Sequence, residues 1–283
     1  MKLIAILIAL ALEYFLGSLD RLRDFRWFDR YGSVLELRLG RRALWDGPAG
    51  VVFTLLWPLL LLLLLAHVLG RVSVLLVFFL GIAVFVYCLG PDMNTLLHRY
   101  AGLLRAEDGG DRQELEQALG IEGEADTGAA LRALLLRAHD NLFAILFWFV
   151  LLGMAGALLY RLVVLLERRY TGIHGAYAEA VRNLHLILMW PSARLLLLAF
   201  GLGGSLMHAL ESWRGVHGHS LDCSPAVIGE GGLGALQYPG EAGAGAGAEQ
   251  RAGWIDEARG LVNRTLIVWL TGLGILTIGG FLH

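Results

Sequence analysis

Six long apolar runs constrain the fold of this chain more than any other feature of its sequence. A membrane-crossing helix needs roughly 20 consecutive, mainly apolar residues, and the runs lie at about residues 1–17, 51–69, 72–90, 142–166, 184–203 and 264–282. The chain is 57% hydrophobic, which exceeds the usual content of a soluble domain. The sequence therefore predicts an all-α fold, a polytopic membrane helical bundle in which residues 1–283 form a single integral membrane domain within the lipid bilayer.

Two polar loops, 91–141 and 204–263, separate the later runs. In the first loop, Asp111 with Glu114, and then Thr127, are typical of helix starts, so we expect short amphipathic helices on the cytoplasmic side. In the second loop, "GEAGAGAGAEQ" predicts a flexible, glycine-rich segment. The polar stretch between the first two runs is either a helix lying on the membrane surface or a plain connecting loop.

The distribution of basic residues predicts the orientation in the membrane. Residues 18–50, 91–141 and 204–263 hold fifteen arginines, whereas the other side holds five basic residues, Lys2, Arg71, Arg168, Arg169 and Arg182. Loops rich in Arg and Lys stay in the cytoplasm. With six crossings, the N-terminus is then outside, and the expected location is the bacterial inner (cytoplasmic) membrane.

Three charged residues fall inside apolar runs, where an unpaired charge is costly. Glu13 and Arg161 lie near the ends of their runs, so each could also extend its charge to the membrane surface. Arg194 has no such route, because apolar residues flank it on both sides, and Pro191 can break the helix one turn earlier. We expect Arg194 to face either Glu13 or an anionic ligand group, since its guanidinium matches carboxylates and phosphates.

Other patterns exclude several classes of function. A net charge of −2 gives no basic footprint for nucleic acid. The "GEGGLG" at 229–234 lacks the preceding strand and following helix of a dinucleotide site, and we expect a flexible loop there. His217, His219 and Cys223 are loosely spaced and have no fourth ligand, so no metal site is predicted. The sequence indicates no particular cofactor.

The chain resembles the AmpE family of bacterial inner-membrane proteins. The resemblance rests on "LFAILFWFVLLGMAGALLYRL" (142–162) and "LHLILMWPSARLLLLAFGLGG" (184–204), together with Glu13 and the spacing of the apolar runs. It is most specific in the Phe-Trp, Tyr-Arg and Trp-Pro-x-x-Arg-Leu features. The AmpE family is in turn similar to the cobinamide-phosphate synthases, which join an amino-alcohol phosphate to a corrinoid acid.

The resemblance implies a regulatory or sensory protein linked to induction of AmpC β-lactamase and to cell-wall metabolite signalling. Glu13, Arg161 and Arg194 match positions common to both groups, and with Trp190 they are the predicted binding residues for an anionic or phosphate-bearing small molecule. The alternative is a membrane enzyme like the synthases. This chain has "RDFRWFDRY" where those enzymes carry His-Pro, and "AYAEAVRN" where they carry Thr-Leu-Asp. We therefore predict binding without turnover.

The arginine asymmetry can be tested by labelling. With Cys88→Ala and Cys223→Ala in place, single cysteines at Leu35, Gly120 and Gly245 should resist an impermeant thiol reagent in intact cells, because the predicted orientation places them in the cytoplasm. All three should react once the cells are permeabilised. Strong labelling of position 120 from outside would contradict the orientation.

Overall fold

The computed structural model describes residues 2–16, 23–39, 46–106, 110–111, 115–116, 127–215, 220–240 and 247–279. All regular secondary structure within these residues is helical, which confirms the all-α prediction. The helices are α1 (Lys2–Leu16), α2 (Arg26–Leu39), α3 (Pro48–Val72), α4 (Val74–Cys88), α5 (Met93–Ala106), α6 (Thr127–Ala138), a π-helical turn (His139–Phe143), α7 (Ala144–Leu152), α8 (Met154–Tyr170), α9 (Ala176–Gly203), α10 (Leu206–Gly215), a 3₁₀ turn (Leu221–Cys223), α11 (Ser224–Leu236) and α12 (Ala248–Ile278).

Five helical runs in the described residues are long and apolar enough to cross a membrane: Pro48–Val72, Val74–Ala106, Thr127–Leu152, Ala176–Gly203 and Ala248–Ile278. Leu3–Glu13 in α1 is apolar but shorter. The crossing helices expose large apolar side chains, and many of these are leucines of α3. Exposed apolar helix faces suit contact with lipid, so the structure is a helical membrane bundle.

The chain folds into two compact units. The first comprises Met1–Gly90, Ala144–Leu188 and Gly280–His283, and the second comprises Pro91–Phe143 and Met189–Gly279. In the first unit, α1 packs on α4, and both α3 and α4 pack on α8. In the second unit, α12 packs on α5 and α6, while α11 packs on α6 and α10.

Helices α3 and α4 are joined at a single extended residue. Ser73 has φ −162° and ψ 138°, ends α3 and begins α4. Its Oγ accepts a hydrogen bond from the Leu75 backbone N–H at 3.2 Å, which is the usual function of an N-cap serine. The sequence predicts a helical hairpin here, because only Gly70 and Arg71 separate the apolar runs at 51–69 and 72–90. The structure places the turn slightly later, at Ser73, and α3 packs on α4.

The apolar run at 142–166 is divided rather than continuous. Gly153 has φ 67° and separates α7 from α8, and residues other than glycine avoid this left-handed region. Just beyond it, a Cβ on Gly156 would collide with the Trp148 carbonyl oxygen. The small residues at 153–157 therefore let α8 approach α7, the helix immediately before it.

The glycine-rich segment at 229–234 belongs to helix α11, so the prediction of a flexible loop is wrong there. Gly229, Gly231, Gly232 and Gly234 are all buried. A Cβ on Gly232 would lie 2.5 Å from Leu135 Cδ1, and one on Gly234 would lie 2.5 Å from the His208 carbonyl oxygen. Glycine weakens a helix by about 1 kcal/mol per residue, but here it permits close packing. The remaining glycine tract, 241–246, lies outside the described residues.

Two further sequence predictions concern polar stretches. The stretch before α3 contains a helix, α2, whose Phe28 is buried. Of the two alternatives for this stretch, a helix on the membrane surface or a plain connecting loop, the loop does not fit. The helix expected to begin at Thr127 is confirmed. The one expected at Asp111 falls largely on residues outside those described.

Gly234→Ala should test the packing of α11. The added methyl group would meet the His208 backbone, which cannot rotate away, so we expect unfolding to become easier by about 1–3 kcal/mol. Unfolding of the detergent-solubilised protein is measured by tryptophan fluorescence. Gly253→Ala is the matched control, because a Cβ there meets nothing within 4 Å; equal destabilisation by both changes would contradict the packing argument.

Candidate functional site

The four predicted binding residues belong to two different units. Glu13 and Arg161 lie in the first unit, and Trp190 and Arg194 lie in the second. The predicted convergence of Glu13 with Arg194 involves residues of different units and stays a prediction. Within each unit, the structure gives these side chains well-defined neighbours.

Glu13 is paired with Arg23, a residue that sequence reasoning left among the loop arginines. Arg23 Nη2 donates to Glu13 Oε1 at 2.6 Å, and the two side chains are 4% and 16% exposed. Arg23 Nε donates to the Val86 carbonyl oxygen at 3.1 Å, and Nη1 donates to the Gly90 carbonyl oxygen. Because the last carbonyls of a helix have no partner within it, Arg23 caps the end of α4.

Arg161 is buried within the first unit. It is 5% exposed, and its guanidinium carbon lies 5.3 Å from the centre of the Phe25 ring. That distance allows a cation–π attraction. The Phe25 ring in turn lies 4.5 Å from the Tyr87 ring. Arg161 therefore belongs to the protein interior, and the alternative that it extends to the membrane surface does not fit its burial.

Arg194 faces polar groups of the second unit. Its Nη1 donates to the Trp190 carbonyl oxygen at 3.0 Å and to Ser224 Oγ at 3.2 Å. The guanidinium carbon is 4.2 Å from the Trp190 ring centre. Arg194 forms no ion pair with any residue that the structure describes. Both hydrogen bonds use Nη1, so the donors on Nη2 and Nε can meet an anion.

Sequence reasoning missed a buried polar cluster on the π-helical turn. His139 Nε2 lies 2.8 Å from Ser192 Oγ, and His139 Nδ1 lies 3.1 Å from Asp140 Oδ1. Ser192 Oγ also donates to the Met189 carbonyl oxygen at 3.0 Å. His139 and Ser192 are both 0% exposed, so in this conformation they link α9 to the π-helical turn and cannot touch a substrate. The sequence feature that could have indicated this cluster is "HDN", three consecutive polar residues before an apolar run.

Metal binding has no candidate in the described residues, where no group of three or more His, Cys, Asp and Glu could hold an ion. Of the loosely spaced trio in the sequence, His217 and His219 lie outside the described residues. Outside the membrane segments, the hydrogen bond from the Arg26 backbone N–H lowers the pKa of Asp24, a carboxylate two residues before the first residue of α2.

The chain is similar to the cobalamin biosynthesis protein CobD of Stutzerimonas stutzeri (strain A1501). The two are 32% identical over 179 residues, and the match covers 58% of this chain and 58% of CobD. The chain thus matches somewhat more than half the length of this curated relative. No protein-family model matches the chain, and no solved structure matches it.

This similarity favours the alternative implied by the sequence over the main expectation. CobD belongs, by its name, to cobalamin biosynthesis, as do the cobinamide-phosphate synthases. The similarity to CobD does not support the AmpE assignment or the link to β-lactamase induction, and both stay predictions.

The Glu13–Arg23 pair should matter more to stability than a nearby exposed pair. Glu13→Gln weakens a charged hydrogen bond to a buried guanidinium, and we expect a loss of about 1.5–3 kcal/mol. Chemical unfolding in mixed micelles measures it. Asp24→Asn is the matched control, since Asp24 and Arg26 are 46% and 79% exposed and solvent screens their attraction. Comparable losses in the two variants would contradict the structural importance of the buried pair.

Proposed function

We propose that this chain is a membrane-embedded protein of cobalamin biosynthesis with a synthase-like activity that joins an amino-alcohol phosphate to a corrinoid acid. The main support for the proposal is the 32% identity with CobD over 179 residues. The all-helical membrane architecture is compatible with that relationship, and the resemblance implies that Glu13, Arg161 and Arg194 match positions that the AmpE family shares with the synthases.

In this proposal Arg194 holds an anionic group of a substrate. Two of its three nitrogens, Nη2 and Nε, have no protein partner among the described residues, while Nη1 is fixed by the Trp190 carbonyl oxygen and Ser224. An arginine held in this way is already oriented, so less side-chain freedom is lost when a phosphate or carboxylate binds. The Trp190 ring against the guanidinium shields one face from water.

Glu13 and Arg161 are the proposed binding residues of the first unit. Both are largely removed from solvent, and intramembrane ionisable groups usually serve function or pair with one another. Glu13 holds Arg23, and Arg161 presents a second guanidinium. The proposed location is the bacterial cytoplasmic membrane. Joining the two substrates requires ATP to activate the carboxyl of one as an acyl phosphate; the amine of the other then attacks that carbon, and phosphate leaves as the amide bond forms. The guanidinium of Arg161 would bind an anionic group of a substrate.

The proposal can be tested by product formation in lipid nanodiscs. Full-length protein is incubated with ATP, magnesium, a corrinoid acid and an amino-alcohol phosphate, and the condensed product is measured by mass spectrometry. Arg194→Gln should reduce the rate about ten-fold or more, because it removes a charged hydrogen-bond donor. Arg194→Lys should recover part of it, since lysine keeps the charge but loses the planar fork.

Arg214→Gln is the matched control, because Arg214 is an exposed arginine of the same unit in the last turn of α10. It should leave the rate unchanged. The absence of product from the wild-type chain, together with altered β-lactam induction in a deletion strain, would overturn the synthase proposal and favour the regulatory function.

A further inference from the structure

A cavity of about 730 Å³ opens where α8 ends and α9 begins. Its lining comes from one continuous segment, residues 167–182 of the first unit. Cavities of roughly 300–1,000 Å³ are typical of small-molecule sites. The residues assigned to the proposed synthase activity are not part of this lining.

The charges around the cavity are of both signs. Glu167 and Glu179 contribute two carboxylates, and Arg182 contributes a guanidinium. None of the three forms an ion pair with a residue in the described part of the chain. Two carboxylates oppose a simple anion, and a guanidinium opposes a simple cation. A ligand that carries an amine next to a phosphate satisfies both.

The position of the cavity indicates that this ligand comes from the membrane. It lies at the beginning of α9, and Ala176–Gly203 is one of the helices long enough to cross a membrane. Lipid headgroups occupy the layer at the ends of such helices. Ile173 on the cavity wall is 54% exposed and offers an apolar contact.

Tyr170, also in the lining, has the character of an interfacial residue. Its ring packs 5.0 Å from the Tyr177 ring, and tyrosines are enriched where a membrane meets water. Burial raises the pKa of Tyr170 to about 12, so its hydroxyl stays protonated at physiological pH and adds no charge to the cavity.

We propose that this cavity binds the zwitterionic phosphoethanolamine headgroup of a membrane lipid. Arg182 binds the phosphate, and Glu167 and Glu179 accept hydrogen bonds from the primary ammonium. Phosphatidylcholine lacks N–H donors, and phosphatidylglycerol lacks the amine, so both should bind less well. The same amine-phosphate chemistry occurs in free amino-alcohol phosphates, and the experiment separates the two sources.

The test uses full-length protein reconstituted in vesicles of equal parts phosphatidylethanolamine, phosphatidylcholine and phosphatidylglycerol. After gentle extraction, native mass spectrometry counts the retained lipids. Phosphatidylethanolamine should be retained about ten-fold over each of the others, and Arg182→Gln or Glu179→Gln should abolish the preference, since each removes a charged hydrogen bond. Both residues are exposed, so neither change should prevent folding.

Two matched controls should retain the preference. Arg71→Gln removes an arginine from the last turn of α3, at the end of another membrane-crossing helix, and Glu257→Gln removes an exposed carboxylate of α12. An unchanged preference in Arg182→Gln, or preferred retention of phosphatidylglycerol, would overturn the proposal.

A second arm adds excess free phosphoethanolamine to the detergent-solubilised protein. Binding of the free compound that Arg182→Gln abolishes, without selective lipid retention, would assign the cavity to a soluble amino-alcohol phosphate and overturn the lipid proposal. If Arg182→Gln changes neither lipid retention nor binding of the free compound, both assignments are overturned. Because the proposed synthase site also binds an amino-alcohol phosphate, only binding that Arg182→Gln abolishes and Arg194→Gln retains is assigned to the cavity.

Discussion

The lack of hydrogen-bonding solvent in the bilayer core governs this structure. Every backbone N–H and C=O there has to find a partner within the protein, and a helix supplies nearly all of them locally. Only the helix ends and interruptions then need help from side chains. Ser73 supplies an acceptor at the α3–α4 turn, and Arg23 supplies donors to the Val86 and Gly90 carbonyls. Among the described residues of the α1–α4 region, Arg23 is the most buried charged side chain. It thus serves the backbone as much as it serves its ion pair with Glu13.

The same constraint explains where polar side chains cluster. His139, Asp140 and Asn141 lie on the π-helical turn, where the regular hydrogen-bond ladder is interrupted. Such turns recur at functional sites because they reorient side chains within a helix. Here the reorientation brings His139 against Ser192, the residue after Pro191, whose ring nitrogen cannot donate to the ladder of α9. Two local irregularities, one in each helical segment, therefore meet and are linked by a hydrogen bond.

The sequence predicted those parts of the fold that depend on long apolar periodicity. The α3–α4 hairpin and helix α9 follow from runs of apolar residues, and Thr127 marks a helix start through local chemistry. Two other features, the division at Gly153 and the helical state of Gly229–Gly234, depend on which segments pack against these glycines in the folded chain. Amino-acid composition does not show those contacts. At the candidate site, the apolar residues that flank Arg161 and Arg194 in the sequence already indicated that these two arginines lie in apolar segments. The partners Arg23 and Ser224 could not, because they come from other segments that only the folded chain brings near.

The turn at Ser73 limits how α3 and α4 can change their positions. A single non-helical residue connects the two helices, so the end of α3 and the start of α4 can move only together. A helix turns once every 3.6 residues, and one residue added to the last turn of α3 would therefore rotate the start of α4 by about 100° around the axis of α3. Such a rotation would carry α4 away from α1, on which it packs. The length of α3 is thus fixed as closely as its apolar composition.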